Sequence, residues 1–413
     1  MLVHTTYTRG LIPLSFKQLL PLLALCAIQW VQAGVDAGEP EALKPAIFKP
    51  ATVITGAAVV LPDGNIEENW AVAVEENGSI SALLPADSID EENGEWSIFR
   101  APEGSVLAPG LHDLMGALGT TGKPGSLRSG TVLFDTELDA GSSFDSTDPW
   151  LDEAAKHGVL YTTLVAQPLG VVNGRSATFL CHTSDQATRL AQGKMMMALG
   201  DSVLASNRMP TSRTSLLSIW RDWIASKPAA LNSPGILYVA EGIDLRQALS
   251  LSWPQGSIPV FIHSGGDARS PLNLLEALGK QKGPVQMVVG PLLEGGSRAH
   301  LMMAVRASQQ GVELSFAGGL PAGPADHLRG SAAMAVAAGM DVAAARRALF
   351  SNPAKVAGAF GIGEIASGSR ADLVLFSGDP LDPAAQVVHV WRGGEGMRVA
   401  APTTVEEMES VRK

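Results

Sequence analysis

Eight histidines, two cysteines and 41 carboxylates are the side chains from which this 413-residue sequence has to build any reaction centre. One is placed by pattern. Pro259-Val260-Phe261-Ile262-His263-Ser264 puts an imidazole at the end of an apolar strand, where an α/β barrel presents its chemistry. Tight zinc binding needs three or four donors, so His263 alone is an incomplete set. Cys181 and His182 are adjacent, which on a strand sends their side chains to opposite faces and argues against a thiol–imidazole pair. The Glu91-Glu92 and Asp152-Glu153 pairs read as solvated faces. Met195-Met196-Met197 reads as buried filler rather than a copper site. Arg208, Arg213 and Arg221 suit an anionic group or, more simply, surface ion pairs. A serine nucleophile on a Gly-x-Ser-x-Gly elbow is absent from the sequence.

Composition narrows the field. A net charge of −11 offers no basic surface for a phosphate backbone, so nucleic acid is not an expected partner. With 46% hydrophobic and 17% charged residues the chain buries enough surface to fold, which excludes disorder. Forty-four glycines without a strict period exclude collagen, and two cysteines exclude a disulfide scaffold. Residues 1–33 carry Arg9 and Lys17, then a short apolar run broken by Pro21, then Val31-Gln32-Ala33. That order reads as a secretory signal peptide, too short to stay as a stable membrane anchor after cleavage. The expected location is periplasmic or secreted, and Cys181 is then the single remaining thiol.

Residues 34–50 read as a linker and 401–413 as a tail. Short strands separated by Pro62-Asp63-Gly64 and Asn77-Gly78 turns are expected over 51–107, and a mirror group over 366–400. Between them, strand candidates at 158–165, 236–240, 258–262, 285–289 and 312–316 alternate with helical patterns at 244–251, 271–280, 297–310, 329–339 and 341–350. Alternation of this kind implies right-handed crossovers and parallel strands. The expected architecture is α/β: a TIM-like (β/α)8 barrel over 108–365, plus a small composite β-sandwich domain built from both chain ends. An open doubly wound sheet is the competitor, without a G-x-G-x-x-G after an early strand to support it.

Two stretches carry a family resemblance. Val106-Leu107-Ala108-Pro109-Gly110-Leu111-His112-Asp113-Leu114 resembles the segment that enters the barrel in the amidohydrolase superfamily. Asn352-Pro353-Ala354-Lys355-Val356-Ala357-Gly358 and Gly368-Ser369-Arg370-Ala371-Asp372-Leu373-Val374-Leu375-Phe376 resemble that superfamily's exit from it. Residues 158–163 resemble its third strand, and residues 174–180 and 209–223 are similar to imidazolonepropionase-like members. The resemblance implies metal-assisted hydrolysis of non-peptide C–N bonds, often in cyclic amides, with divalent ions held by a His-x-His pair, two further histidines and an aspartate.

At those positions the resemblance places Met115 and Ala117 for the His-x-His pair, Gly290 for the sixth-strand histidine, and Gly318 or Gly319 for the eighth-strand aspartate. His263 is the single surviving metal-ligand position, and His112 lies three and five residues before the pair, on the opposite face. The expectation is a pseudoenzyme: no catalytic residues, no cofactor, and a barrel that binds a small molecule or pairs with an active homologue in a homo- or hetero-oligomer. The alternative is an active hydrolase with a reduced zinc site, using His263 with Glu241, Asp244 or Asp267.

Overall fold

A computed structural model describes residues 52–89, 96–120, 127, 132–226, 228–254, 259–263, 285–292 and 298–399. The expected signal peptide (1–33), linker (34–50), tail (401–413) and helix at 271–280 lie outside them, as do Glu91, Glu92 and Asp267.

The N-terminal strands are β1 (Thr52–Thr55), β2 (Ala58–Val60), β3 (Ile66–Glu67), β4 (Trp70–Val74), β5 (Ile80–Pro85), β6 (Ser97–Arg100) and β7 (Val106–Pro109). Their β-branched and aromatic residues fit a pleated, half-buried surface. The middle of the chain adds β8 (Leu111–Gly116), β9 (Phe134–Asp139), β10 (Val159–Leu164), β11 (Val172–Arg175), β12 (Ala177–Leu180), β13 (Arg189–Ala191) and β14 (Met195–Leu199). It continues with β15 (Ile236–Val239), β16 (Val260–His263), β17 (Gln286–Val289) and β18 (Glu313–Phe316). The C-terminal strands are β19 (Leu373–Phe376), β20 (Val387–Arg392) and β21 (Glu395–Arg398).

The two ends of the chain share one six-stranded sheet in the order β21-β20-β19-β7-β2-β3. Leu107 stands opposite Leu375 in its antiparallel β7–β19 ladder. Val59, Leu107, Leu373, Leu375 and Trp391 of this sheet share one buried cluster with Ile54 of β1 and Ile80 of β5, which belong to the four-stranded sheet β5-β4-β1-β6. The Asn77-Gly78 turn locks the ends together: Gly78 has φ +80°, and a Cβ there would lie 2.2 Å from the Gly393 carbonyl oxygen. Only glycine satisfies both conditions.

The chain passes from β7 into β8 through Gly110, and β8 pairs in parallel with β10. The segment 158–163, read from sequence as a third strand, is thus the direct neighbour of the entering strand. A second parallel ladder runs β14-β15-β16-β17-β18 in register. Between the ladders, β11 and β12 follow each other through Ser176 and run antiparallel to β14 and β10 respectively. On the opposite flank β18 lies beside β8 through side-chain and loop contacts, with no ladder joining them among the described residues.

The helices are α1 (Trp150–Lys156), α2 (Arg213–Ala225), α3 (Gly242–Leu249), α4 (Arg298–Gln309), α5 (His327–Ala337), α6 (Val342–Leu349) and α7 (Ser351–Ala357). In α2 the Ser212 side chain caps the Ser215 N–H, and Leu216, Trp220 and Ile224, four apart, are the buried face. The Trp220 indole N–H donates to the Ala198 carbonyl at the end of β14. Two motif residues find their reason here. The Asn352 amide donates to the Leu314 carbonyl of β18 at 2.8 Å. The buried Asp372 carboxylate accepts from the Tyr161 hydroxyl (3.0 Å), Arg370 Nε (2.7 Å) and the Gly393 N–H (2.5 Å). Motif residues therefore tie the terminal sheet to β10.

Candidate functional site

Met115 and Ala117, half-buried at the end of β8, open onto a cavity of about 290 Å³. Its other walls come from the segment after β10, from Met196 and Met197 of β14, from Tyr238 of β15 and from Ile262 of β16. Among the described residues that line it, Gln167 and Tyr238 supply the polar side chains, and none is a carboxylate, imidazole or thiol. The methionine run is a fully buried strand, as filler should be, and it also lines this cavity.

The remaining ligand positions are taken by backbone. Gly290 has φ +124°, and a Cβ there would meet the Ala317 carbonyl oxygen at 2.6 Å, so the site holds no histidine without moving the chain. After β18, the N–H groups of Gly318, Gly319 and Leu320 all donate to the buried Asp113 carboxylate, at 2.9, 3.3 and 2.8 Å. The Met115 N–H adds a fourth contact at 3.4 Å, and the Ala117 N–H donates to the Leu320 carbonyl at 2.5 Å. Burial raises the Asp113 carboxyl above the usual carboxylate range, with the four N–H donors opposing. Either protonation state leaves oxygens facing the same donors.

His263 ends β16, its backbone in register with Val239 and Val289. Its side chain is outside the described set. His112 is buried, with Nε2 2.7 Å from the Thr163 hydroxyl and no partner on Nδ1. Burial drives its pKa down to about 3. Cys181 is fully buried, which pushes its thiol up, while His182 faces Asp152 at 3.7 Å. They form no pair.

Glu241 and Asp244, the carboxylates weighed for a reduced metal site, are held by Arg213. Its guanidinium bonds Asp201 (2.8 Å), Glu241 (3.1 Å) and the fully buried Asp244. Burial lifts Asp244 to about 6 despite that cation. Arg213 is thus a structural clamp between the ends of β14 and β15, not an anion receptor. Arg213→Met should cost about 3 kcal/mol in urea unfolding, because it strands a buried charge; a cost below about 0.5 kcal/mol contradicts this reading.

Sequence reasoning missed Gln167, Tyr238 and the Asp113 cradle. Asp113 stood within the entry motif, and a carboxylate inside an otherwise apolar strand was the available signal.

No protein-family model matches the chain, and no curated protein sequence matches it. Solved structures do. An amidohydrolase from Thermotoga maritima MSB8 superposes with TM-score 0.68 at 19% identity, covering 84% of this chain and 100% of that one. The chain shares the fold of that solved amidohydrolase. Molinate hydrolase follows with TM-score 0.55 at 16% identity over 87% of this chain and 99% of that one. A. niger ochratoxinase gives 0.51 at 16% over 84% and 95%. Shared fold at such identities locates strand ends without assigning chemistry to them.

Any zinc site needs cysteine sulfur, histidine nitrogen or carboxylate oxygen donors about 2.0–2.3 Å from one point. Met115, Ala117, Gly290, Gly318 and Gly319 supply none of these. Among the described residues, no group of three or more His, Cys, Asp or Glu side chains is arranged to hold a metal ion.

Proposed function

We propose that this protein is a non-hydrolytic variant of the amidohydrolase fold whose strand-end cavity binds an uncharged, largely apolar small molecule. In this reading the two parallel ladders are one (β/α)8 barrel, held on one flank by β11–β12 and on the other by the Asp113 cradle. The six-stranded sheet belongs to a composite β domain built from both chain ends. The carrying observation is the cavity's described lining: Met115, Ala117, Met196 and Met197 surround it, with Gln167 and Tyr238 as its polar side chains among the described residues. Thioethers are soft, adaptable walls that suit apolar ligands of varied shape, whereas zinc hydrolysis needs donors that polarise a carbonyl and activate water.

The neighbours named as hydrolases favour the alternative, cleavage of C–N bonds in cyclic amides with zinc on His263. Against it, Glu241 and Asp244 are committed to Arg213. We further propose export through the 1–33 segment to the periplasm or beyond, and pairing with an active homologue as one use of a silent barrel.

The uncharged probe N-phenyl-1-naphthylamine should gain fluorescence on binding, and Ala117→Trp, which fills the cavity, should abolish the gain. Equilibrium dialysis against zinc should leave far less than one ion per chain. One ion per chain, lost in His263→Ala, overturns the proposal in favour of the hydrolase.

A further inference from the structure

A second cavity, of about 240 Å³, shares no lining residue with the first. Trp150, Glu153 and His157 of α1 form one wall; Leu320, Pro321 and Asp326, in the segment leading to α5, form the other. Its volume is about eight times the roughly 30 Å³ that a water molecule occupies, room for a small organic ligand. Trp150 is 53% exposed, unusual for the largest aromatic.

The charged and titratable side chains of the described lining are two carboxylates, Glu153 and Asp326, and one imidazole, His157. His157 lies between two carboxylates, with Nδ1 3.6 Å from Asp326 and Nε2 3.9 Å from Glu153. Lys156 holds the other Glu153 oxygen at 2.8 Å and is not part of the lining. Behind the wall, His327 is 7% exposed and its Nδ1 has no partner; it lies 2.6 Å from where a Cβ on the lining residue Gly323 would stand. Among the described residues, no lysine or arginine lines the cavity.

We propose that this cavity binds a small organic cation: an ammonium group on an apolar body. The indole face attracts the cation, the Asp326 carboxylate accepts its N–H groups, and Leu118, Leu320 and Pro321 cover the apolar part. The site is separate from the strand-end cavity and independent of the function proposed for it.

His157 supplies the competition. The groups facing it are Glu153 and Lys156 from its own helix, and Asp326 and Arg329 from the α5 side. Its close contact with the Asp326 carboxylate raises its pKa above the ordinary histidine value, so at low pH the imidazolium occupies the carboxylate that the ligand needs. Ligand affinity therefore rises with pH through that transition.

Calorimetric titration with 2-phenylethylammonium, and with 2-phenylethanol as its uncharged counterpart, tests the proposal. At about pH 8.5 the amine is still protonated, and it should bind at least about tenfold more tightly than the alcohol. Asp326→Asn and Trp150→Ala, both surface substitutions that leave the core intact, should each weaken amine binding about tenfold, and so should lowering the pH to about 6. Saturating the strand-end cavity with the naphthylamine probe should leave the amine isotherm unchanged. Equal affinity for amine and alcohol, unchanged binding in Asp326→Asn, or no saturable binding at millimolar amine overturns the proposal.

Discussion

Replacing Asp113 with alanine is expected to destabilise the protein by about 4 kcal/mol, more than a typical buried substitution. The carboxylate is fully buried and is the common acceptor for the N–H groups of Gly318, Gly319 and Leu320. Removing it leaves three donors without a partner where water has little access, and each such group costs roughly 1–3 kcal/mol. The loss also unfastens β8 from the segment after β18, the flank where no ladder joins them among the described residues. Asp113→Asn keeps one acceptor oxygen and should recover about half of the loss. Urea unfolding of the three proteins measures this directly, and a loss below about 1 kcal/mol for Asp113→Ala refutes the account.

The second large effect is on acid stability. His112 is buried and its folded-state pKa is depressed from 6.5 to about 3. The fold therefore favours the neutral ring, and the stability this contributes is fully present above pH 6.5. It is lost as pH falls toward about 3, because the unfolded chain takes up the proton first. Between pH 7 and pH 4 this amounts to about 3 kcal/mol, at 1.36 kcal/mol per pH unit. His112→Gln does not titrate and still offers a polar partner to Thr163. Its stability should fall less steeply over that interval. Parallel wild-type and variant curves, agreeing within about 0.5 kcal/mol, mean that the ring is not held neutral.

Of these two residues only His112 was placed in advance: strand alternation set it apart from Met115 and Ala117, while Asp113, in the same entry motif, was missed. Strands β10 and β15–β18 and helices α3–α6 of the middle region were legible from period and length, because a parallel strand buried on both faces needs a short continuous apolar run, whereas β9, β13, β14, α1 and α2 were not read. The terminal strand groups, mostly antiparallel, were readable from their short β-prone runs and the Pro-Asp-Gly and Asn-Gly turns between them. The β11–β12 stretch was not: a Gly174 turn and mixed polarity hide a strand whose partners lie on either side of it in space.

The Arg213 clamp was equally hidden. Its three carboxylates stand at positions 201, 241 and 244, and only the adjacency of β14 and β15 brings them to one guanidinium. The Trp150–Asp326 cavity joins residues far apart in the chain in the same way. The sequence by itself determined many of the elements, the mixed α/β class and the absence of donor side chains at the four positions where the family resemblance implies ligands, since those depend on residue type and local spacing. The tertiary structure decided what occupies those positions instead: a methionine-walled cavity, a glycine without room for a side chain, and a carboxylate gripped by backbone N–H groups. Each depends on distances between strands that no local pattern encodes.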